Sequence, residues 1–160
     1  MSLTPTANQT SIKVNIFNWN CLKNDKQLVL DVGTTGLVIN TLGLTTTQTW
    51  ILVPNLVAGA QVGGFTLYNP AANVSAEQPN DGQQILSGDD PTPYGSQAYC
   101  WTFLNKGNNP DNEVLWTFQG SNSNGDCMDA KFSAITDGTP VIFYQNNDTS
   151  TQQWVIKQVA

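Results

Sequence analysis

Side chains that could carry acid–base, nucleophilic or metal chemistry are scarce in this sequence. It contains no histidine, which removes Ser-His-Asp and Cys-His machinery and imidazole metal sites. The cysteines Cys21, Cys100 and Cys127 form no CxxC pair, and their odd number indicates reduced thiols rather than a disulfide framework. Asp126 and Asp129 are close enough to suggest a glycosidase pair, but neither has a sequence context that marks it as a proton donor. We therefore expect a protein that is not an enzyme and that needs no metal or other cofactor.

Side chains that bind by hydrogen bonding concentrate near the C-terminus instead. In the stretch DGTPVIFYQNNDTSTQQW (residues 137–154), an apolar run breaks into an amide-rich loop that leads to Gln152 and then Trp154. Amide side chains both donate and accept hydrogen bonds, so this segment could serve folding, binding or both.

Composition excludes several classes of partner. The net charge is −6, and only 6 of the 160 residues are lysine or arginine, so the clustered cations that nucleic acids and anionic membranes require are missing. No apolar run reaches the roughly 18–20 residues that span a bilayer. The first residues also lack the basic and apolar regions of a secretory signal. Together with the reduced thiols, this predicts a cytoplasmic location.

The elements that must position these side chains are short strands. Apolar stretches of β-branched and aromatic residues alternate with Gly, Asn, Asp and Pro clusters, which is typical of an all-β fold. Trp50, Trp101 and Trp154 recur roughly every 50 residues, and such a period indicates repeats that bury their apolar faces together. We predict one domain over residues 1–160 with twelve short strands in three pseudo-symmetric repeats. The repeats cover approximately residues 11–56, 62–106 and 112–160, with the three tryptophans and Trp116 in the core and Trp19 partly exposed.

The last repeat resembles a known family. In 127-CMDAKFSAITDGTPVIFYQNNDTSTQQW-154, a Cys-Met-Asp motif precedes an Asp-Gly turn, a strand ending in an aromatic residue, an Asn-containing loop and a Gln-x-Trp motif. This order resembles the ricin-B-type β-trefoil lectins, and is closest in style to the cytosolic trefoil lectins of mushrooms. The first repeat keeps Asp31 and Gln48-Thr49-Trp50. In the middle repeat Ser75 aligns with the Asp, and Tyr99-Cys100-Trp101 replaces Gln-x-Trp.

The resemblance implies a β-trefoil with a sugar site, mainly in the third repeat. A carboxylate accepts hydrogen bonds from a vicinal diol, an amide matches a hydroxyl group, and an aromatic ring packs on the C–H face of a galactose-like sugar. The residues that match the family pattern there are Asp129, Ile142, Tyr144, Asn147 and Gln152. A weaker second site in the first repeat would consist of Asp31, Asn40 and Gln48.

The implied function is a non-catalytic defence lectin and hemagglutinin. Its partners would be galactosides or N-acetylgalactosaminides on glycoproteins or glycolipids, with no nucleic acid and no membrane insertion. Single sugar sites bind weakly, so a homodimer is expected to supply avidity. The alternative is a β-trefoil protease inhibitor that acts through an exposed loop at residues 88–96 or 105–113.

Overall fold

The computed structural model describes residues 12–57, 60–89, 97–121 and 123–159, with the side chains of residues 56–63 left aside. Within these ranges the chain forms twelve strands, one short α-helix, α1 (Trp19–Leu22), and three single 3-10 turns. The strands are β1 (Lys13–Asn18), β2 (Leu28–Val32), β3 (Leu37–Thr41), β4 (Trp50–Val57), β5 (Ala60–Asn69), β6 (Val74–Glu77), β7 (Leu86–Gly88), β8 (Trp101–Asn108), β9 (Val114–Gly120), β10 (Asp126–Ala130), β11 (Thr139–Gln145) and β12 (Trp154–Gln158). The all-β prediction is confirmed.

The strands divide into three units of four: β1–β4, β5–β8 and β9–β12. Each unit contains a hairpin of its second and third strands, namely β2–β3, β6–β7 and β10–β11. The first and fourth strands of the units join all three into one antiparallel sheet, in which β1 pairs with both β4 and β12, β5 with β4 and β8, and β9 with β8 and β12. Each unit therefore relies on its neighbours to complete its pairing, as the repeat period predicts.

One tryptophan per unit anchors the core. Trp50, Trp101 and Trp154 are fully buried, Trp116 is nearly so, and Trp19 is partly exposed, as predicted. Each of the three indole N–H groups donates to a carbonyl oxygen on the second strand of its own unit. These pairs are Trp50 to Leu30 (2.9 Å), Trp101 to Ala76 (3.0 Å) and Trp154 to Met128 (3.3 Å). This hydrogen bond is common to the three units and can be used to align them. The residues that follow the three acceptors are then equivalent, namely Asp31, Glu77 and Asp129.

Helix α1 has no counterpart in the sequence-based expectation, because a single turn is too short to show helical periodicity. Asn18 caps it by accepting a hydrogen bond from the Cys21 N–H (3.4 Å). None of the helices in the described ranges has the length and apolar character to cross a membrane.

Candidate functional site

The β10–β11 hairpin of the third unit places a carboxylate beside an aromatic ring. Asp129 lies opposite Ile142 in the ladder, and Cys127 lies opposite Tyr144. Opposed residues, and residues two apart on one strand, point to the same face, so Asp129, Ile142 and Tyr144 share one surface. Asp129 is only 8% exposed, whereas Tyr144 is 46% exposed. The carboxylate is therefore at the base of this surface and the ring stands beside it in solvent.

Gln152 holds the adjoining loop to the carboxylate. Its Nε2 donates to Asp129 Oδ2 (3.0 Å) and to the Gln145 carbonyl oxygen (2.9 Å), and its Oε1 accepts from the Asn147 backbone N–H (2.8 Å). Gln152 is fully buried. The structure therefore places this predicted site residue behind the surface, where it fixes the loop and Asp129 rather than reaching solvent.

The oxygen and the nitrogen of the Asn147 side-chain amide have different roles. Its Oδ1 accepts from the Thr149 backbone N–H (3.2 Å) and hydroxyl group (2.8 Å), which curls the loop. Its Nδ2 forms no hydrogen bond with any residue that the structure describes. One end therefore shapes the loop, and the other remains available as a donor at the exposed surface.

These side chains border a cavity of about 310 Å³. Its lining residues are Asp129, Phe132, Ser133, Ile142, Tyr144, Asn147, Thr149 and Thr151. Among the described residues, none donates to Asp129 Oδ1. A charged acceptor, an amide donor and a phenol ring therefore border one small cavity, the combination that suits a neutral polyhydroxyl ligand with an apolar face.

The chain is similar in structure to a designed threefold-symmetric protein, ThreeFoil, with a TM-score of 0.72 and 17% identity over 92% of this chain and 99% of that one. It is also similar to the Macrolepiota procera ricin B-like lectin, solved in complex with lactose (TM-score 0.70, 17% identity, 98% of this chain and 100% of that one). A third similar structure is the Rhizoctonia solani agglutinin (TM-score 0.69, 16% identity, 99% of this chain and 100% of that one). The chain has the β-trefoil fold. No protein-family sequence model and no curated relative matches it. The predicted likeness to ricin-B-type trefoils is confirmed at the level of the fold.

The first unit of the trefoil brings the predicted second-site residues together, but both oxygens of its carboxylate are occupied by protein donors. Asp31 is fully buried. Its Oδ1 accepts from the Val32 N–H (2.7 Å) and the Thr47 hydroxyl (2.6 Å), and its Oδ2 accepts from Asn40 (2.9 Å), Thr45 (2.6 Å) and Gln48 (3.3 Å). Two threonine hydroxyls of the loop thus donate to this carboxylate, one to each oxygen.

One residue accounts for part of the difference between the two loops. Gly43 donates its N–H to Gln48 Oε1 (2.7 Å), just as Asn147 donates to Gln152, so Gly43 and Asn147 are equivalent. Gly43 has no side chain to engage Thr45, which turns to the carboxylate. In the third unit, the equivalent Thr149 donates to Asn147 instead, and its hydroxyl oxygen lies 3.0 Å from that of Thr151, the equivalent of Thr47. Neither threonine hydroxyl donates to Asp129.

The middle unit of the trefoil carries a different acid–donor pair. Trp101 binds the carbonyl of the residue before Glu77, so Glu77, and not Ser75, is equivalent to the aspartates of the other units. The prediction for Ser75 was wrong because the motif was aligned two residues too early. Tyr99 replaces the glutamine and donates its hydroxyl to Glu77 Oε2 (2.8 Å). Gly88 is equivalent to Tyr144 and provides no stacking ring, since any side chain there would collide with Tyr99.

Electrostatics around the third-unit site keep the buried thiol inert. Burial, and then the carboxylates of Asp129 and Asp126, raises the pKa of Cys127 to about 12, so the thiol is uncharged at neutral pH. On the outer side of the loop, Lys106 pairs with Asp148 at 2.7 Å. Within the described ranges, no three His, Cys, Asp or Glu side chains are placed to hold a metal ion.

The alternative hypothesis of a protease inhibitor rests on two loops. Residues 90–96 of the first loop lie outside the described residues. The second forms the turn between β8 and β9, where Asn109 Nδ2 donates to Glu113 Oε1 and the Glu113 N–H donates to Asn109 Oδ1, both at 2.9 Å. Neither this geometry nor the structural neighbours favour protease inhibition.

Sequence reasoning missed four residues of the cavity, Phe132, Ser133, Thr149 and Thr151. The two threonines belong to the polar loop that the sequence singles out, but their side-chain directions depend on hydrogen bonds within that loop, from Thr149 to Asn147 and between the two threonine hydroxyls. Phe132 had a visible signal: it is a large aromatic residue in the polar segment between a buried strand and an Asp-Gly turn.

Proposed function

We propose that this trefoil is a non-catalytic lectin that binds galactose- or N-acetylgalactosamine-type glycans through its third repeat. The observation that carries the proposal is the contrast between two equivalent carboxylates. Asp31 is saturated by its own loop, whereas Asp129 keeps one oxygen open beside Tyr144 and the Asn147 amide. A diol of the sugar would donate to Asp129 while its C–H face packs on Tyr144.

The placement of the acidic residues argues against glycoside hydrolysis. A glycosidase needs two carboxyl groups on either side of one glycosidic bond. Asp126 and Asp129 are three residues apart on a regularly paired strand, so they point to opposite faces of the hairpin. The cavity lining contains Asp129 and no other carboxylate. Binding without turnover is therefore the activity that we propose.

The experiment is a glycan array with the wild-type chain, followed by calorimetric titration of N-acetylgalactosamine into wild type, Asp129→Asn and Asp111→Asn. Asp111 is an exposed carboxylate in the β8–β9 turn, so its variant controls for the change in charge. We expect binding to disappear in Asp129→Asn and to persist in Asp111→Asn, with unfolding free energies within about 1 kcal/mol of wild type. Equal binding by all three proteins would refute the site, and an array without any bound galactoside would refute the sugar class.

We further propose that the chain acts as a homodimer. Only one of the two Asp-Gln sites of the trefoil is open, and a single shallow site binds glycans weakly, so crosslinking needs a second copy. Light scattering coupled to size exclusion should give twice the mass of the 17.4 kDa chain. A monomer that still agglutinates cells would contradict the proposal.

A cytoplasmic defence lectin is the setting that we propose for this activity. The free thiols of Cys21 and Cys127 are fully buried, which suits a reducing compartment. Asn147 also belongs to an Asn-Asp-Thr sequon, and a glycan attached there would obstruct the cavity that it borders.

A further inference from the structure

Phe132 is the most exposed large hydrophobic side chain among the described residues, at 89%. Its φ of 58° lies in the left-handed region, and Ser133 follows with a φ of 55°. Non-glycine residues avoid this region, and bulky ones do so most strongly. Neither burial nor backbone preference therefore accounts for a phenylalanine at this position.

The loop that carries Phe132 is fixed by a residue that also fixes the Asn147 loop. Asn20 in helix α1 donates through Nδ2 to the Ser133 carbonyl oxygen (3.3 Å) and accepts through Oδ1 from the Ser150 hydroxyl (3.0 Å). Asn20 is 9% exposed, so these bonds are shielded from water. The two loops that border the cavity thus share one buried anchor, which fixes the backbone that carries Phe132 relative to the Asn147 loop.

A gradient of exposure runs from the base of the cavity to its rim. Asp129, Tyr144 and Phe132 all line it, and their exposed fractions are 8%, 46% and 89%. At about 310 Å³ the cavity is at the lower end of the size of ligand pockets. A sugar unit that reaches the Asp129 carboxylate would occupy the base, and a unit attached to it would extend toward the exposed ring of Phe132.

One face of the Phe132 ring is in contact with a neighbouring cation. The Lys131 ammonium lies 4.9 Å from the ring centroid, a distance at which a cation and an aromatic face attract each other. This contact restrains the ring further and leaves its opposite face for an apolar partner. The C–H face of a pyranose is such a partner.

We propose that Phe132 is a second stacking platform, which contacts the sugar unit next to the one bound by Asp129 and Tyr144. The site then discriminates disaccharides from monosaccharides, a specificity that rests on the proposed lectin function. Phe132 contributes to affinity only when the second unit is present.

The test compares galactose with lactose, a galactoside of two units, by calorimetric titration of wild type, Phe132→Gly and Phe132→Tyr. Glycine suits the left-handed backbone, so Phe132→Gly is expected to fold with an unfolding midpoint no lower than that of wild type. Tyrosine keeps the ring and serves as the matched control. We expect the lactose-to-galactose affinity ratio to fall about three- to tenfold in Phe132→Gly and to stay within about twofold in Phe132→Tyr. Galactose affinity should change less than about twofold in both.

The outcomes separate this inference from the lectin function. If wild type binds both sugars and Asp129→Asn binds neither, but Phe132→Gly keeps the wild-type ratio, the second platform is refuted and the lectin stands. An equal loss of galactose and lactose affinity in Phe132→Gly also refutes it, because the ring would then act on the first unit. If wild type binds N-acetylgalactosamine but neither of these two sugars, the platform is refuted and the lectin stands; if it binds none of the three, both fall.

Discussion

Replacing each of the equivalent aspartates Asp31 and Asp129 with asparagine should separate stability from binding. Asp31 accepts five hydrogen bonds and is fully buried. Asp129 accepts one from the described residues, from Gln152, and leaves an oxygen at the cavity. The same substitution therefore removes a structural anion in one unit and a proposed ligand acceptor in the other.

The expected size of the stability loss follows from the donors around Asp31. If Oδ1 becomes the NH₂ group, it faces the Val32 backbone N–H, which cannot rotate away. If Oδ2 becomes the NH₂ group, it faces Gln48, whose own oxygen already accepts from Gly43. Either way, one hydrogen bond to the carboxylate is lost, which costs about 1.5–3 kcal/mol, and the remaining bonds weaken because the acceptor is no longer charged. Asp31→Asn should therefore lower the free energy of unfolding by about 2–4 kcal/mol. In Asp129→Asn the amide oxygen can still accept from Gln152, so the cost should be below about 1 kcal/mol.

Urea unfolding followed by tryptophan fluorescence measures both losses, because Trp50, Trp101 and Trp154 leave a fully buried environment on unfolding. Sugar titration on the same proteins should show normal affinity in folded Asp31→Asn and none in Asp129→Asn. Similar stability losses in the two variants would refute the assignment of Asp31 to structure and Asp129 to binding. So would sugar binding that depends on Asp31.

Three further outcomes are expected. Asn147→Gly should weaken sugar binding about tenfold or more as the Thr149 hydroxyl turns to Asp129, and adding Thr149→Val should restore part of that loss in the same titration; a double variant as weak as the single one would show that Asn147 acts only by direct contact. Cys127 should resist thiol reagents in the folded protein at about pH 8, because its pKa is raised to about 12, and should react in urea. Rapid labelling of Cys127 in the folded protein, located by mass spectrometry of its peptide, would contradict its burial. Hydrogen bonds from the Thr41 hydroxyl and N–H lower the pKa of Asp137, so this group adds stability above its unfolded pKa and loses it as the pH falls through the folded value. The difference in the free energy of unfolding between wild type and Asp137→Asn should thus be constant from about pH 5 to 7 and shrink below about pH 4. A difference that grows in acid would show that the pKa of Asp137 is raised rather than lowered by folding.

The repeat architecture could be predicted from the sequence because its signal is periodic. Tryptophans at a regular interval, each within an apolar strand, require a common environment, and all three are fully buried on equivalent carbonyls. The Asp-Gly turns follow equally directly, since Gly82 and Gly138 have φ values of 79° and 80° that glycine adopts without strain.

The difference between the units could not be predicted in the same way. Asp31 and Asp129 have the same motif and the same glutamine partner, and what separates them is the directions in which two loop threonines donate. One of these directions differs because Gly43 stands in one unit where Asn147 stands in the other, and no pattern of polarity reveals such contacts. The Glu77–Tyr99 pair was missed for a related reason. Glutamate replaces the aspartate and tyrosine replaces the glutamine, so the hydrogen bond between the two positions is kept although both residues of the motif have changed.

The pairing of β1 with β12 also has a consequence for how the molecule folds. It joins Val14 to Gln158 and continues in register to Asn18 and Trp154, so one ladder of the sheet connects opposite ends of the described chain. Contacts of such high sequence separation carry a large loop-closure entropy and slow the folding rate, typically to a timescale of roughly milliseconds to seconds for all-β domains. During synthesis, the edge of β1 that pairs with β12 stays unpaired until β12 has been made. An unpaired strand edge can pair with another chain, so the addition of β12 protects the folding chain from aggregation as well as completing the sheet.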